Sequence, residues 1–116
     1  MGVFEVRGGK KLSGEIIPQG AKNEALQIIS AVLLTKEEVI IHNIPDIIDV
    51  NLLIELLKEI NVQVDRTDAH TCKFRAADVD VDYLSSEAFH KKSGRLRGSV
   101  MLAGPLLARY RKAYLP

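Results

Sequence analysis

The stretch KNEALQIISAVLLTKEEVIIHNIP, residues 22 to 45, decides the fold class because its hydrophobic period changes partway along. From Lys22 to Thr35, Ala25, Leu26, Ile28, Ile29, Val32, Leu33 and Leu34 cover nearly the whole circumference of a helix. So wide an apolar face predicts a helix packed on more than one side. From Glu38 to Ile44 the residues turn β-branched and stop at Pro45, which predicts a strand. A helix running directly into a strand excludes a helical bundle and a β-sandwich.

Upstream, Val3 to Arg7 and Leu12 to Pro18 read as two short strands, with Gly8 and Gly9 supplying the turn of a hairpin. Downstream, Asp46 and Asp49 are candidate caps for a second helix that ends near Asn61. Leu53, Leu56, Leu57 and Ile60 fall at i, i+3, i+4 and i+7 of that helix and form its core stripe. Val62 to Arg66 and Thr71 to Ala76 read as strands joined by a polar turn around Asp68, and Asp78 to Tyr83 as an exposed connection. In the last segment Leu96, Val100, Ala103, Leu107 and Tyr110 keep a helical period, which Pro105 should bend or break near Gly104. The order is two strands, helix, strand, helix, two strands, helix, an α/β (α+β layered) arrangement.

At 116 residues the chain is long enough for one domain with a real core. Its 47% hydrophobic and 27% charged residues exclude the composition of a disordered chain. No apolar run approaches the roughly 18 residues of a spanning helix, and Met1 to Lys11 lacks the pattern of a signal peptide. The single cysteine, Cys72, cannot form an internal disulfide, which points to a reducing, cytoplasmic setting. The net charge of +1 conceals an asymmetry: Lys91 to Pro116 holds seven basic residues and no acid, leaving nine basic against 15 acidic before it. Such a tail suits nucleic acid, an acidic partner or a phosphorylated ligand.

Metal chemistry is poorly supported, because His42, His70 and His90 are isolated from one another and from ligand-spaced carboxylates. Cys72 reads as an ordinary strand cysteine. The most informative short stretch is Gly20-Ala21-Lys22-Asn23, where a turn glycine delivers a lysine to the first turn of a helix. A cation there opposes the helix dipole, a cost that an anion held jointly by the ammonium and the free backbone N–H groups would reverse. Read on physics alone, a solvated lysine past a turn glycine is the commoner outcome. Arg97 is the second candidate, with Gly98 and Ser99 small enough to admit a ligand or another backbone beside it.

Taken together, four groups of residues resemble the N-terminal part of the UDP-N-acetylglucosamine 1-carboxyvinyltransferases, the enolpyruvyl transferases that open peptidoglycan synthesis. They are Leu12-Ser13-Gly14-Glu15; Gly20 to Leu26; Asn43-Ile44-Pro45 with Asp49-Val50; and Leu96 to Ser99 with Gly104 to Arg109. The resemblance covers essentially the whole chain. It implies an enolpyruvyl-transferase-like β-α-β-α-β-β unit plus the start of a second. Residues 1–20 would be strands belonging to an opposite lobe, and residues 21–116 part of the first lobe.

It further implies transfer of an enolpyruvyl group from phosphoenolpyruvate to the 3′-hydroxyl of UDP-N-acetylglucosamine, with release of phosphate and without metal or cofactor. Lys22 and Asn23 match a pair that contacts both substrates, and Arg97 matches an arginine of the same cleft. The family's general acid lies on a loop expected beyond Pro116, so no catalytic residue is assigned within the chain and the chain alone is expected to be inactive. Its expected packing partner is the second lobe, with no nucleic acid and no membrane involved. Arg111 and Lys112 stand where the family more often has a glycine. The sister enzyme acting on shikimate 3-phosphate is a rival, although its matching pair is normally lysine and serine. A small basic nucleic-acid-binding module is another, with aromatic residues at only 5% to stack on bases.

Overall fold

Helix α1 spans Lys22–Ala31 and tightens into a 3-10 turn over Val32–Leu34. In the computed structural model, which describes residues 2 to 115, Ala25, Leu26, Ile29, Val32 and Leu33 are buried, while Ile28 and Leu34 stay partly exposed. The apolar face is thus wide, as its residues require, yet one flank remains open. Strand β1 (Glu38–Ile41) follows, then helix α2 (Ile48–Glu59), strands β2 (Gln63–Asp68) and β3 (Thr71–Arg75), and helices α3 (Glu87–Ser93) and α4 (Ala103–Tyr110). Leu53, Leu56, Leu57 and Ile60 of the α2 stripe are all buried, as the i, i+3, i+4, i+7 spacing requires.

The three strands form one sheet in the order β1-β3-β2, antiparallel at both seams. β1 and β2 therefore run parallel, joined by α2, with β3 inserted between them. The β2–β3 turn is local: the Asp68 carboxylate accepts the His70 backbone N–H at 2.8 Å, which holds its carboxyl below the usual range. Phe74, fully buried on β3, stands opposite Val39 on one side and Val64 on the other. Cys72 is buried two residues before it on the same face.

Four expectations need correction. Residues 2 to 20 form an extended arm with no strand pairing, and Val3, Phe4, Val6, Leu12, Ile16 and Ile17 are each at least 83% exposed. Alternating apolar residues make a strand only where a surface buries one face, and a lone two-stranded ribbon is marginal in water. The unit is consequently α-β-α-β-β here, without its leading strand. Neither Asp46 nor Asp49 caps α2: the N-cap is Ile47, with no side-chain bond. Asp46 instead accepts from Asn51 Nδ2 at 2.9 Å, and Asp49 sits in the first turn.

The connection after β3 is not simply exposed, since Val79 and Leu84 are buried and Asp82–Ser85 is a 3-10 turn. It leads into α3, which the sequence reading missed, capped by Ser86 accepting from Phe89 N–H at 3.1 Å. Finally, Arg97–Leu102 is a 3-10 helix, so its buried positions recur every three residues, at Leu96, Ser99 and Leu102. Val100 and Leu107 of the expected stripe are about half exposed, at 46% and 54%. Pro105 falls in the first turn of α4, where its missing N–H costs no helix bond, and the change of period comes at Leu102 and Ala103. Arg111 ends α4 with φ 58, the left-handed conformation a glycine adopts most easily.

Candidate functional site

The turn before α1 is held by the loop after β1. A Cβ on Gly20 would collide with the carbonyl oxygen of Asn43, itself in a left-handed conformation with φ 58. Only glycine allows that approach. The loop is pinned in turn: Ile44 N–H donates to the His70 carbonyl at 2.9 Å, and His70 Nδ1–H donates back to the Ile44 carbonyl at 2.7 Å. Asp46 N–H donates to Gln19 Oε1 at 3.0 Å, and Arg66 Nη2 donates to Asn51 Oδ1 at 2.9 Å. These bonds fix the first turn of α2 beside the first turn of α1.

As a result, the Lys22 ammonium lies 3.2 Å from Asp49 Oδ2. Both side chains are about half exposed, at 51% and 43%, so this is a surface pair of modest strength. From the other side, Gly98 brings the 3-10 helix against α1, since a Cβ there would come within 2.8 Å of Leu26 Cδ1. Ser99 is buried and donates through its hydroxyl to the Ser93 carbonyl at 2.8 Å. Gly98 and Ser99 therefore serve close packing of the chain on itself, and Arg97 is carried to the rim.

Lys22, Asn23 and Arg97, the three candidate residues, line one open cleft of about 310 Å³, together with Leu26, Gln27, Asp49, Gly98, Val100 and Met101. Its formal charges are Lys22 and Arg97 against Asp49. Among the described residues Arg97 has no ion-pair partner, and α1 has no side-chain cap at Ala21. Two cations and an uncapped helix start make a place suited to a phosphate-like anion. Among the described residues no three His, Cys, Asp or Glu gather as a metal site. No helix of the described chain is long and apolar enough to cross a membrane.

In the sequence Asp49 stands out as a candidate cap and as part of the family resemblance, and Arg109 only as part of that resemblance, neither with a place in the cleft or the packing. Arg109 Nη1 reaches the carbonyls of Leu33, Thr35 and Ala76 at 3.0, 3.1 and 2.6 Å, tying α4 to the end of the first helical segment and to the end of β3. Its guanidinium also lies 4.9 Å from the Tyr110 ring centroid. The basic tail is divided in the same way: Lys92 pairs with Glu59 and Lys112 with Asp82, leaving Lys91, Arg95, Arg97 and Arg111 outside these pairs. The bond to Glu59 raises the pKa of Lys92.

Residues 6–115 match the sequence profile of EPSP synthase (3-phosphoshikimate 1-carboxyvinyltransferase). The chain belongs to this family. Among curated relatives, the UDP-N-acetylglucosamine 1-carboxyvinyltransferase of Porphyromonas gingivalis is 55% identical over 116 residues, covering 100% of this chain and 27% of the relative. The protein of the same name from Bacteroides fragilis is 56% identical over 115 residues, 99% of this chain and 26% of the relative. The chain thus spans about a quarter of the length of the relatives it matches. Among solved structures, the enolpyruvyl transferase NikO from Streptomyces tendae superposes with a TM-score of 0.68 at 26% identity, over 88% of this chain and 23% of that one. The α-β-α-β-β arrangement is that of an enolpyruvyl-transferase-family α/β fold.

Proposed function

We propose that residues 1–116 form the N-terminal part of an enzyme that transfers the enolpyruvyl group of phosphoenolpyruvate to UDP-N-acetylglucosamine, in the cytoplasmic synthesis of peptidoglycan precursors. The observation that carries this reading is the convergence of Lys22, Asn23 and Arg97 on one cleft. Lys22 and Arg97 neutralise the phosphate of phosphoenolpyruvate, and the Asn23 amide hydrogen-bonds the sugar nucleotide. As the acceptor hydroxyl gives up its proton and its oxygen adds to C2, a proton adds to C3 and a tetrahedral adduct forms; removal of a proton from C3 with departure of phosphate then gives the enol ether. The cations stabilise the charge on the departing phosphate.

The proton must come from a general acid outside this cleft. Its one carboxylate, Asp49, is engaged by Lys22, and Cys72 is sealed in β3. The chain alone therefore does not turn over. Its arm, residues 2–20, packs on a second lobe that supplies the remaining groups. UDP-N-acetylglucosamine is preferred to shikimate 3-phosphate as acceptor because Asn23 follows Lys22 and because the relatives at 55% and 56% identity carry that name.

The test is a chimera in which residues 1–116 replace the matching segment of the Porphyromonas gingivalis relative. Phosphate release from phosphoenolpyruvate is expected with UDP-N-acetylglucosamine and not with shikimate 3-phosphate. Lys22→Ala is expected to lower it by about 100-fold or more, as for loss of a charge-stabilising group. Release with shikimate 3-phosphate overturns the acceptor, and near-normal turnover in Lys22→Ala overturns the site.

A further inference from the structure

Asp49 is the only acidic side chain among the residues lining the cleft, and its one polar partner among the described residues is Lys22. In the fold Asp49 lies in the first turn of α2, whose N-cap Ile47 has no side-chain bond, so its carboxylate complements the helix dipole without capping a backbone N–H and stays available to the cleft. Its neighbour Asp46 is turned away, toward Asn51 and Arg66. The cleft is therefore asymmetric: one cation is already matched by an internal anion, and the other, Arg97, is not.

We propose that Asp49 is the positioning and gating carboxylate of the phosphate subsite. In the empty cleft it holds the Lys22 ammonium at the start of α1, and an arriving phosphate takes its place. The inference rests on reading the cleft as a phosphate site. A lysine side chain has many rotamers, and a counter-ion 3.2 Å away favours those that keep the ammonium in the cleft. The same carboxylate opposes a phosphate dianion, which must outbid it for Lys22. It does so because it carries two charges against one and engages Arg97 as well. The consequence is a subsite that takes up a tethered phosphate and holds free inorganic phosphate weakly, so that the released product leaves.

Inorganic phosphate titrated into the full 116-residue chain at low ionic strength, followed by the backbone amide resonances of residues 22 to 24 and 97 to 99, provides the test. Asp49→Asn is expected to tighten phosphate binding by about 5- to 20-fold, the size of one carboxylate–dianion repulsion at roughly 5 Å in a solvated, screened cleft. Asp49→Glu restores the charge and is expected to stay within about twofold of the unmodified chain, and Lys22→Ala added to Asp49→Asn should abolish the gain. A purely structural role for Asp49 would alter melting without tightening phosphate.

If Asp49→Asn binds no tighter while Lys22→Ala alone loses binding, the gating role is overturned and the phosphate subsite stands. If Lys22→Ala binds as well as the unmodified chain, the subsite reading falls and the inference falls with it. Asp49→Ser, a residue well suited to a helix start, replaces Asp49→Asn if the amide variant does not fold.

Discussion

Replacing Arg109 by methionine probes the joint that holds the last helix to the rest of the molecule. One nitrogen, Nη1, with two hydrogens serves three carbonyl oxygens, those of Leu33, Thr35 and Ala76, so at least one hydrogen is shared. A hydrogen bond to a charged group contributes about 1.5 to 3 kcal/mol, and a carbonyl left buried without a donor costs about 1 to 3. Two full bonds in a half-buried site, discounted for water reaching the freed carbonyls, give an expected loss of about 2 to 4 kcal/mol for Arg109→Met. Lysine keeps the charge but presents a single ammonium in place of the planar fork, so Arg109→Lys should lose about half as much. Urea melts followed by circular dichroism measure both, and a shift of about 4 °C per kcal/mol should accompany them in thermal melts. A loss under about 0.5 kcal/mol for Arg109→Met, or equal stability of the lysine variant and the unmodified chain, would refute the joint.

Leu53→Ala and Leu57→Ala each empty a fully buried site and should cost about 2 to 5 kcal/mol in denaturant melts, with losses under about 1 kcal/mol in both contradicting the assigned core. Gly20→Ala should cost at least about 2 kcal/mol, because its methyl meets the Asn43 backbone and the loop after β1 must move; a neutral result would mean that the loop is not fixed. Lys22→Ala should change stability by under about 0.5 kcal/mol, the lost pair with Asp49 offsetting relief of the helix dipole, so a large destabilisation would give Lys22 a structural role instead. The Tyr110 hydroxyl is buried without a hydrogen-bond partner among the described residues, and burial pushes its pKa up. Its raised folded pKa means that stability present below about pH 10 is lost as pH rises further, since the unfolded chain gives up that proton first. Tyr110→Phe should be neutral or stabilising at pH 7 and should lessen the alkaline loss; urea melts of both proteins at pH 7 and at about pH 11, above the unfolded tyrosine pKa, decide it, and an unchanged alkaline loss in the phenylalanine variant contradicts it.

The α1–β1–α2 run was legible because its signals are local: a change of period, a proline stop and a four-residue stripe on α2. The β2–β3 turn was legible for the same reason, with Asp68 in the position where its side chain can close the turn. What failed was set by partners that a sequence does not display. The arm has the alternation of a strand but no surface to bury it, and the 96–110 stripe assumed 3.6 residues per turn throughout, where Arg97–Leu102 turns in three and only Ala103–Tyr110 is α-helical. Lys22, Asn23 and Arg97 were found as separate residues, and their meeting on one cleft depends on Gly20 and Gly98, whose missing side chains let the 42–47 loop and the 3-10 helix approach α1. Asp49 escaped notice as a cleft residue because its partner is 27 positions away. Arg109 looked like one more charge in a basic tail, and only its three carbonyl partners reveal it as a joint.

The extended arm also governs how the chain behaves as a particle in solution. Its radius of gyration is 17.0 Å, with principal extents of 56, 29 and 20 Å. A compact domain of this length would have a radius of about 13 Å. The excess comes from the residues before Gly20, which reach outward while the remainder packs around one core. Drag scales with that reach, so the monomer sediments slowly and elutes early from a sizing column, at a position that calibration with globular standards would assign to a heavier species. Its stoichiometry has to be taken from mass measurements insensitive to shape, such as light scattering or sedimentation equilibrium.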